Sequence, residues 1–499
     1  MLSSTRQSYQ ALARSKGITH IPATSYLVRR ISTTQSRHNR ATHSAPAQHV
    51  PEFSPIPLNQ PPQPALPLLR PEQPAEADDE FWRAIPWWKD VSREEFLSWP
   101  WSIKNIVEAN MGTKKKLIDF LYATLPEMVP SSQASEDLQS RDQFVGDILS
   151  GMKKSSMSLR IKPYILSRIN WKDPANDPIF RQFIPLGSIM KEDHPMCKLD
   201  PLEERRDSPV LGLVHRYPDK ALFLATSVCP TLCSYCSRAH EVGADTEMVV
   251  KDPSRLSREG IEERFKYIAS QEGLHDLIIS GGDAFYLQPD LLEELADRSI
   301  AAKNIERFRV ATKGLAVAPH RFLNDNDLWV NTLIRVSNKA RKAGKHMALH
   351  THFNHPNEIS WITEQASRKL LQSGVTVRNQ SVLLRNVNDN TDTIITLIKK
   401  LAKMSIQPYY LYQCDMVPKV EHLRTPLQTL IDIESQIQGV VAGFFVPKCV
   451  VDLPGGGGKR PVALRESYDR KTGISTFTQP ALEGKDREGK IYRYHDPID

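Results

Sequence analysis

Between residues 222 and 451 the chain alternates short β-rich runs with amphipathic helical stretches, and this alternation restricts the fold more than any other feature of the sequence. The runs are 222–227, 277–280, 309–311, 346–350, 375–384, 407–412 and 444–451. Helical periodicity fills 257–271, 290–301, 327–343, 358–373, 391–404 and 427–440. Strands joined by helices of this length predict right-handed βαβ units and a parallel sheet. The expected class is α/β, a full or partial barrel of about six βα units, with chemistry at the C-terminal strand ends.

The rest of the chain divides around that region. Residues 1–45 hold only basic charges, with Ser, Thr and intermittent apolar residues, which is the pattern of a mitochondrial transit peptide. Arg29-Arg30-Ile-Ser-Thr-Thr34 reads as a processing region, and the expected location is the matrix. Residues 46–80 form a Pro-rich linker; Pro46 to Pro74 contains ten of the 36 prolines. Residues 81–210 are expected to be mostly helical. Five of the eight Trp lie between 82 and 101, read as a packing layer, and Ser92-Arg-Glu-Glu95 has the capping-box pattern. The barrel occupies 211–460 and an extension 461–499.

Charge excludes one class of partner. The net charge is +7, and the seven basic residues before the first acid, Glu52, account for all of it. The body is neutral, so no nucleic-acid partner is expected. No run of 18 apolar residues occurs, and no membrane span is expected.

Three of the six cysteines fall in Cys229-Pro-Thr-Leu-Cys233-Ser-Tyr-Cys236, just after the first predicted strand. Three thiolates on one tight loop suit a [4Fe–4S] cluster with one iron left open to a ligand. A zinc site would need a fourth ligand, for which His240 is the candidate. Ser280-Gly281-Gly282-Asp283 ends the second strand, where glycines allow a ligand to approach the backbone. Asp452-Leu-Pro-Gly-Gly-Gly-Gly458-Lys459 follows the last strand. Its spacing is not that of a phosphate loop. A lone lysine after a glycine run suits a Schiff base with pyridoxal phosphate.

The combination resembles the lysine 2,3-aminomutase family of radical S-adenosylmethionine enzymes. The resemblance extends over Trp88 to Ile474. It includes Asp207-Ser-Pro-Val210, His215-Arg-Tyr-Pro-Asp219, Thr351-His-Phe-Asn-His-Pro-Asn-Glu358, Asn379-Gln-Ser-Val-Leu-Leu-Arg-Asn-Val-Asn-Asp389 and Tyr412-Gln-Cys-Asp415. It implies a radical SAM barrel in which Cys229, Cys233 and Cys236 hold the cluster. Ser280, Gly281, Gly282, Asp283, His352 and Gln380 would contact S-adenosylmethionine. Lys459 would bind pyridoxal phosphate, with Arg216, Tyr217 and Lys220 at its phosphate. Arg238 would hold the substrate carboxylate, and Asp415 with Asp452 a distant ammonium.

The implied reaction is an isomerisation, a 1,2-amino migration from L-lysine to β-lysine. It needs a flavodoxin- or ferredoxin-type electron donor and is compatible with a homo-oligomer. Two departures stand out. Lys220 takes the place of the usual Arg, and Arg309-Val-Ala-Thr-Lys313 differs from the family's pattern. Asn390 occupies a zinc-ligand position and no Cys follows Cys449, so no structural zinc is expected. The alternatives are the same chemistry on arginine, glutamate or a protein-bound lysyl group, and a zinc-held barrel without catalysis.

Overall fold

Strands β1 (Leu213–Tyr217) and β2 (Lys220–Thr226) open a nine-stranded sheet as an antiparallel hairpin. Six more strands then join in parallel: β3 (Asp276–Gly281), β4 (Arg307–Ala311), β5 (His346–Thr351), β6 (Thr376–Leu383), β7 (Gln407–Gln413) and β8 (Lys448–Leu453). A last strand, β9 (Gly458–Pro461), returns antiparallel to β8. The strands are ordered in space as in sequence. Between the parallel strands lie α1 (Arg258–Ser270), α2 (Pro289–Ala301), α3 (Leu328–Lys342), α4 (Trp361–Gln372), α5 (Thr391–Lys403) and α6 (Leu427–Ile437). This computed structural model describes residues 80–131, 137–484 and 488–497; the expected transit peptide and nearly all of the linker lie outside them.

Local chemistry accounts for the helix starts. Asp327 accepts from the Val330 amide at 3.0 Å at the head of α3, and Asn390 from Thr393 at 2.9 Å at the head of α5. Ser360 and Thr363 form a reciprocal capping box on α4. At Ser92 the first half of the expected box is present, the Glu95 amide donating to its hydroxyl at 3.1 Å.

The observed sheet departs from expectation at both edges. Neither β1 nor β9 was read from the sequence. The run 444–451 begins as a strand only at Lys448, because Gly443–Phe445 is a 3-10 turn that leaves Phe444 in solvent. The edges matter because they meet. The Lys459 amide of β9 donates to the Tyr217 hydroxyl of β1 at 2.8 Å. A side chain thus spans the gap between the two edges of the curled sheet.

The N-terminal region packs against the barrel. Trp82 and Trp88 are buried, and Trp82 stacks on Phe96 with ring centroids 4.3 Å apart. Trp99 meets Phe285 edge-on at 5.4 Å, and the Tyr164 hydroxyl sits 2.8 Å from Thr363 on α4. Two short antiparallel strand pairs accompany the helices of this region. The extension forms β10 (Ser467–Asp469), β11 (Ile474–Thr478) and β12 (Ile491–His495), an antiparallel sheet. Tyr494 of β12 donates to the Cys414 carbonyl at 3.0 Å, just beyond the end of β7.

Candidate active site

All nine strands contribute residues to one cavity of about 380 Å³. Every site residue expected from the sequence lines it, except Gly281. Residues separated by up to 243 positions in sequence, Arg216 to Lys459, are brought together because the sheet curls back on itself.

The cysteine loop follows β2, whose pairing with β3 slips between Leu224 and Thr226 as the strand ends. Cys229, Cys233 and Cys236 are all free thiols facing the cavity. Burial raises all three, Cys233 to about 11, so metal binding would have to displace their protons. Among the described residues no three His, Cys, Asp or Glu side chains converge on a point one ion could occupy. A cubane cluster sets its three cysteine ligands on separate irons, and three free thiols on one short loop facing the cavity suit it.

Gly281 and Gly282 are glycines because the end of β2 and the two residues leading to the cysteine loop pass directly against them. Gly281 has φ +118, and a Cβ there would lie 2.1 Å from the Thr226 carbonyl oxygen. At Gly282 it would meet the Val228 carbonyl at 2.6 Å. Asp283 spends its carboxylate on the amides of Phe285 and Lys313, both at 2.8 Å, which ties the end of β3 to the end of β4. Burial raises it to about 6. Ser280 opens on the cavity.

His352 is fixed on both sides. One ring nitrogen lies 2.8 Å from the Gln380 carbonyl and the other 3.0 Å from the hydroxyl of Tyr235, inside the cysteine loop. Burial, with Lys313 nearby, lowers it well below the usual imidazole range, so it is neutral. Tyr412 donates to the Gln380 side chain at 2.9 Å. Lys313, at the altered third-strand motif, donates to the His352 carbonyl at 2.8 Å and lies 3.7 Å from buried Glu358.

On the opposite wall, Lys459 Nζ lies 2.6 Å from Asp452 Oδ2. Burial works against its charge, but Asp452, with Tyr412 and Tyr217, holds it well above the ordinary amine range. Arg216 is committed elsewhere: it pairs with Asp207 at 2.5 Å, donates to the Leu202 carbonyl and reaches Asp452 at 3.8 Å. Lys220 has no carboxylate within ion-pair distance among the described residues. It lies 3.9 Å over the Tyr217 ring, lowered to about 8 by burial and by Lys459. A buried-side cation without an anion, beside Lys459, fits a phosphate.

Arg238 carries a partner that sequence reading missed. Its Nε and Nη2 form a two-pronged contact with Glu204 at 2.6 and 2.7 Å, and its Nη1 donates to the Gly281 carbonyl at 3.2 Å. Asp415 lies beyond the end of β7 with Oδ1 unpartnered. Burial and neighbouring Asp452 raise it to about 7.

No family model matches the chain. It is similar to an L-lysine 2,3-aminomutase of Clostridium subterminale, 34% identical over 416 residues, which cover 82% of this chain and 86% of that protein. A glutamate 2,3-aminomutase of Clostridioides difficile is 30% identical over 325 residues, 65% of this chain and 72% of its own. Among solved structures, Streptococcus suis SuiB bound to S-adenosylmethionine aligns with 47% of this chain and 50% of its own, at 12% identity and TM-score 0.33.

Proposed function

Since this chain belongs to the lysine 2,3-aminomutase family and is an isomerase of the radical S-adenosylmethionine type, we propose that its substrate is free L-lysine, its product β-lysine and its third cofactor pyridoxal phosphate. One observation carries the substrate choice. Asp415 and Asp452 share the cavity with Lys459, and Asp415 has an unpartnered oxygen. A lysine side chain brings the missing cation. Glutamate would bring a second carboxylate against two like charges.

Cys229, Cys233 and Cys236 would hold the cluster, Ser280, Gly282, His352 and Gln380 the S-adenosylmethionine, and Lys459 with Lys220 the pyridoxal phosphate. When bound, these groups supply hydrogen-atom abstraction and a ring that delocalises an unpaired electron. The chain's own residues position and shield. Tyr217 holds the Lys459 amide and so sets where that side chain starts. Neutral His352 offers no proton to a reactive centre. Arg238 would take the substrate carboxylate and Asp415 the ammonium, two fixed contacts in one cavity that would orient the substrate for reaction. Tyr409, Tyr410 and Tyr412 line the cavity and limit water.

The remaining parts of the reading are a flavodoxin- or ferredoxin-type donor and matrix location, the latter supported by the acid-free leader. Sequencing the mature N-terminus tests location; a chain retaining Met1 in the cytosol would refute it. The decisive test of function is anaerobic reconstitution followed by assay with lysine, arginine, glutamate and a lysyl peptide. Lysine is expected to turn over fastest, and faster turnover of any other would overturn the substrate assignment.

A further inference from the structure

One turn of the N-terminal region, residues 200–208, organises the cationic side of the cavity. Its Pro201 carbonyl accepts from the Gly455 amide at 2.8 Å, in the glycine run before Lys459. Its Leu202 carbonyl and Asp207 carboxylate hold Arg216. Its Glu204 holds Arg238. Glu204 is itself fixed: its amide donates to Asp200 at 3.0 Å and its carbonyl accepts from Ser208 at 2.8 Å. It is 9% exposed and lines the cavity. Burial opposes its charge, but Arg238 prevails and keeps the carboxyl ionised.

We propose that Glu204 is a positioning and specificity-determining residue, which fixes the Arg238 guanidinium so that a single carboxylate can dock on it and a second is rejected. The proposal rests on reading Arg238 as the substrate-carboxylate clamp. A guanidinium has five N–H donors. Glu204 takes the Nε side of the fork and the Gly281 carbonyl takes one more donor, so two remain for a ligand. The carboxylate must approach them from one direction. Glu204 also neutralises much of the Arg238 charge. A substrate carboxylate therefore meets enough attraction to be oriented, while a dicarboxylate finds a cavity already supplied with anions. Displacing Glu204 is not an alternative, because it would leave a buried carboxylate without its main partner.

The test compares Glu204→Gln, Glu204→Asp and Arg238→Lys in reconstituted protein. Two measurements are made: lysine turnover, and equilibrium dialysis of lysine and glutamate before reduction. With Glu204→Gln the freed arginine is a stronger but misdirected cation. Lysine kcat is expected to fall at least tenfold with KM changed less than threefold, while glutamate binding tightens at least tenfold. Glu204→Asp keeps the charge but is one methylene shorter; it should lose kcat and still reject glutamate, and it decides the matter if the glutamine variant does not fold. Lysine kcat and glutamate binding both within threefold of wild type in these variants would overturn the proposal. If Arg238→Lys leaves lysine KM unchanged, the clamp reading itself fails, whatever Glu204 does.

Discussion

Lys459 and Asp452 face each other across the last β-hairpin: they are paired in register on β9 and β8, and Nζ lies 2.6 Å from Oδ2. The sequence separates them by a leucine, a proline and four glycines, and the hairpin turns that gap into an ion pair.

This pairing predicts opposite effects on two steps. Asp452 keeps Lys459 protonated, and only a neutral amine attacks an aldehyde. Asp452→Asn should therefore speed covalent capture of pyridoxal phosphate at pH 7–8, followed by absorbance. It should slow lysine turnover by orders of magnitude, because a half-paired ammonium in a desolvated site costs roughly 2–5 kcal/mol. Lys459→Arg should abolish capture. Borohydride fixing the cofactor to another lysine would refute the assignment.

Asp415 predicts a pH dependence. Its carboxyl titrates at about 7, raised by burial and by Asp452. Below that pH it is neutral and cannot pair with an ammonium, so lysine affinity should weaken on acidification from pH 8 to 6. Stability runs the other way. A carboxyl raised on folding stabilises the native state below its unfolded value, and that stabilisation is lost as pH rises through the folded value. Asp415→Asn should consequently stabilise the fold at pH 8 by about 1–2 kcal/mol after allowance for coupling to Asp452, read as a higher melting temperature, while weakening lysine binding. A variant less stable than wild type at pH 8 would show that Asp415 has a partner supporting its charge.

Two glycines with positive φ should respond differently to alanine. At Gly281 the added Cβ collides with the Thr226 carbonyl, whereas at Gly344, φ +72, nothing lies within 4 Å. Gly344→Ala should cost about 1 kcal/mol of backbone strain. Gly281→Ala should cost more than 3 kcal/mol and lower iron retention, since the displaced strand end bears on the cysteine loop. Thermal melts and iron analysis would separate the two.

Replacing any of Cys229, Cys233 or Cys236 by Ala should leave protein that cannot retain about four irons per chain after anaerobic reconstitution. Cys197, Cys414 and Cys449 lie outside the loop, and alanine there should preserve iron content. Full iron in Cys236→Ala would be incompatible with the cluster assignment.

The parallel strands were legible because a buried strand and an amphipathic helix leave different periodicities, and consecutive parallel strands here are joined through an amphipathic helix. The edge strands were not. β9 begins in a glycine run and ends at Pro461, both poor strand signals, and it is a strand because β8 offers it a partner. The residue types at the site were legible from motifs, but their pairing was not. Asp200-Pro-Leu-Glu-Glu-Arg-Arg-Asp207 looks like a solvated charged loop, and nothing local says that Glu204 will meet Arg238, 34 positions on. The local signal is density alone: six of the eight residues Asp200 to Asp207 are charged, directly before Ser208-Pro-Val210.

The Tyr217–Lys459 contact across the gap between the sheet edges has a consequence for biogenesis. A polypeptide leaving the ribosome presents Tyr217 and all three cysteines while more than two hundred residues, including Lys459, are still unmade. The thiol loop therefore exists early and without the wall that faces it. Contacts of such long range form late, after the slow closure of the chain. Loading should accordingly be ordered in time: the proposed pyridoxal phosphate would be secured only by a finished barrel, whereas the thiols stay exposed to oxidation until then. A folding delay in this protein would register first as lost iron, before any loss of secondary structure.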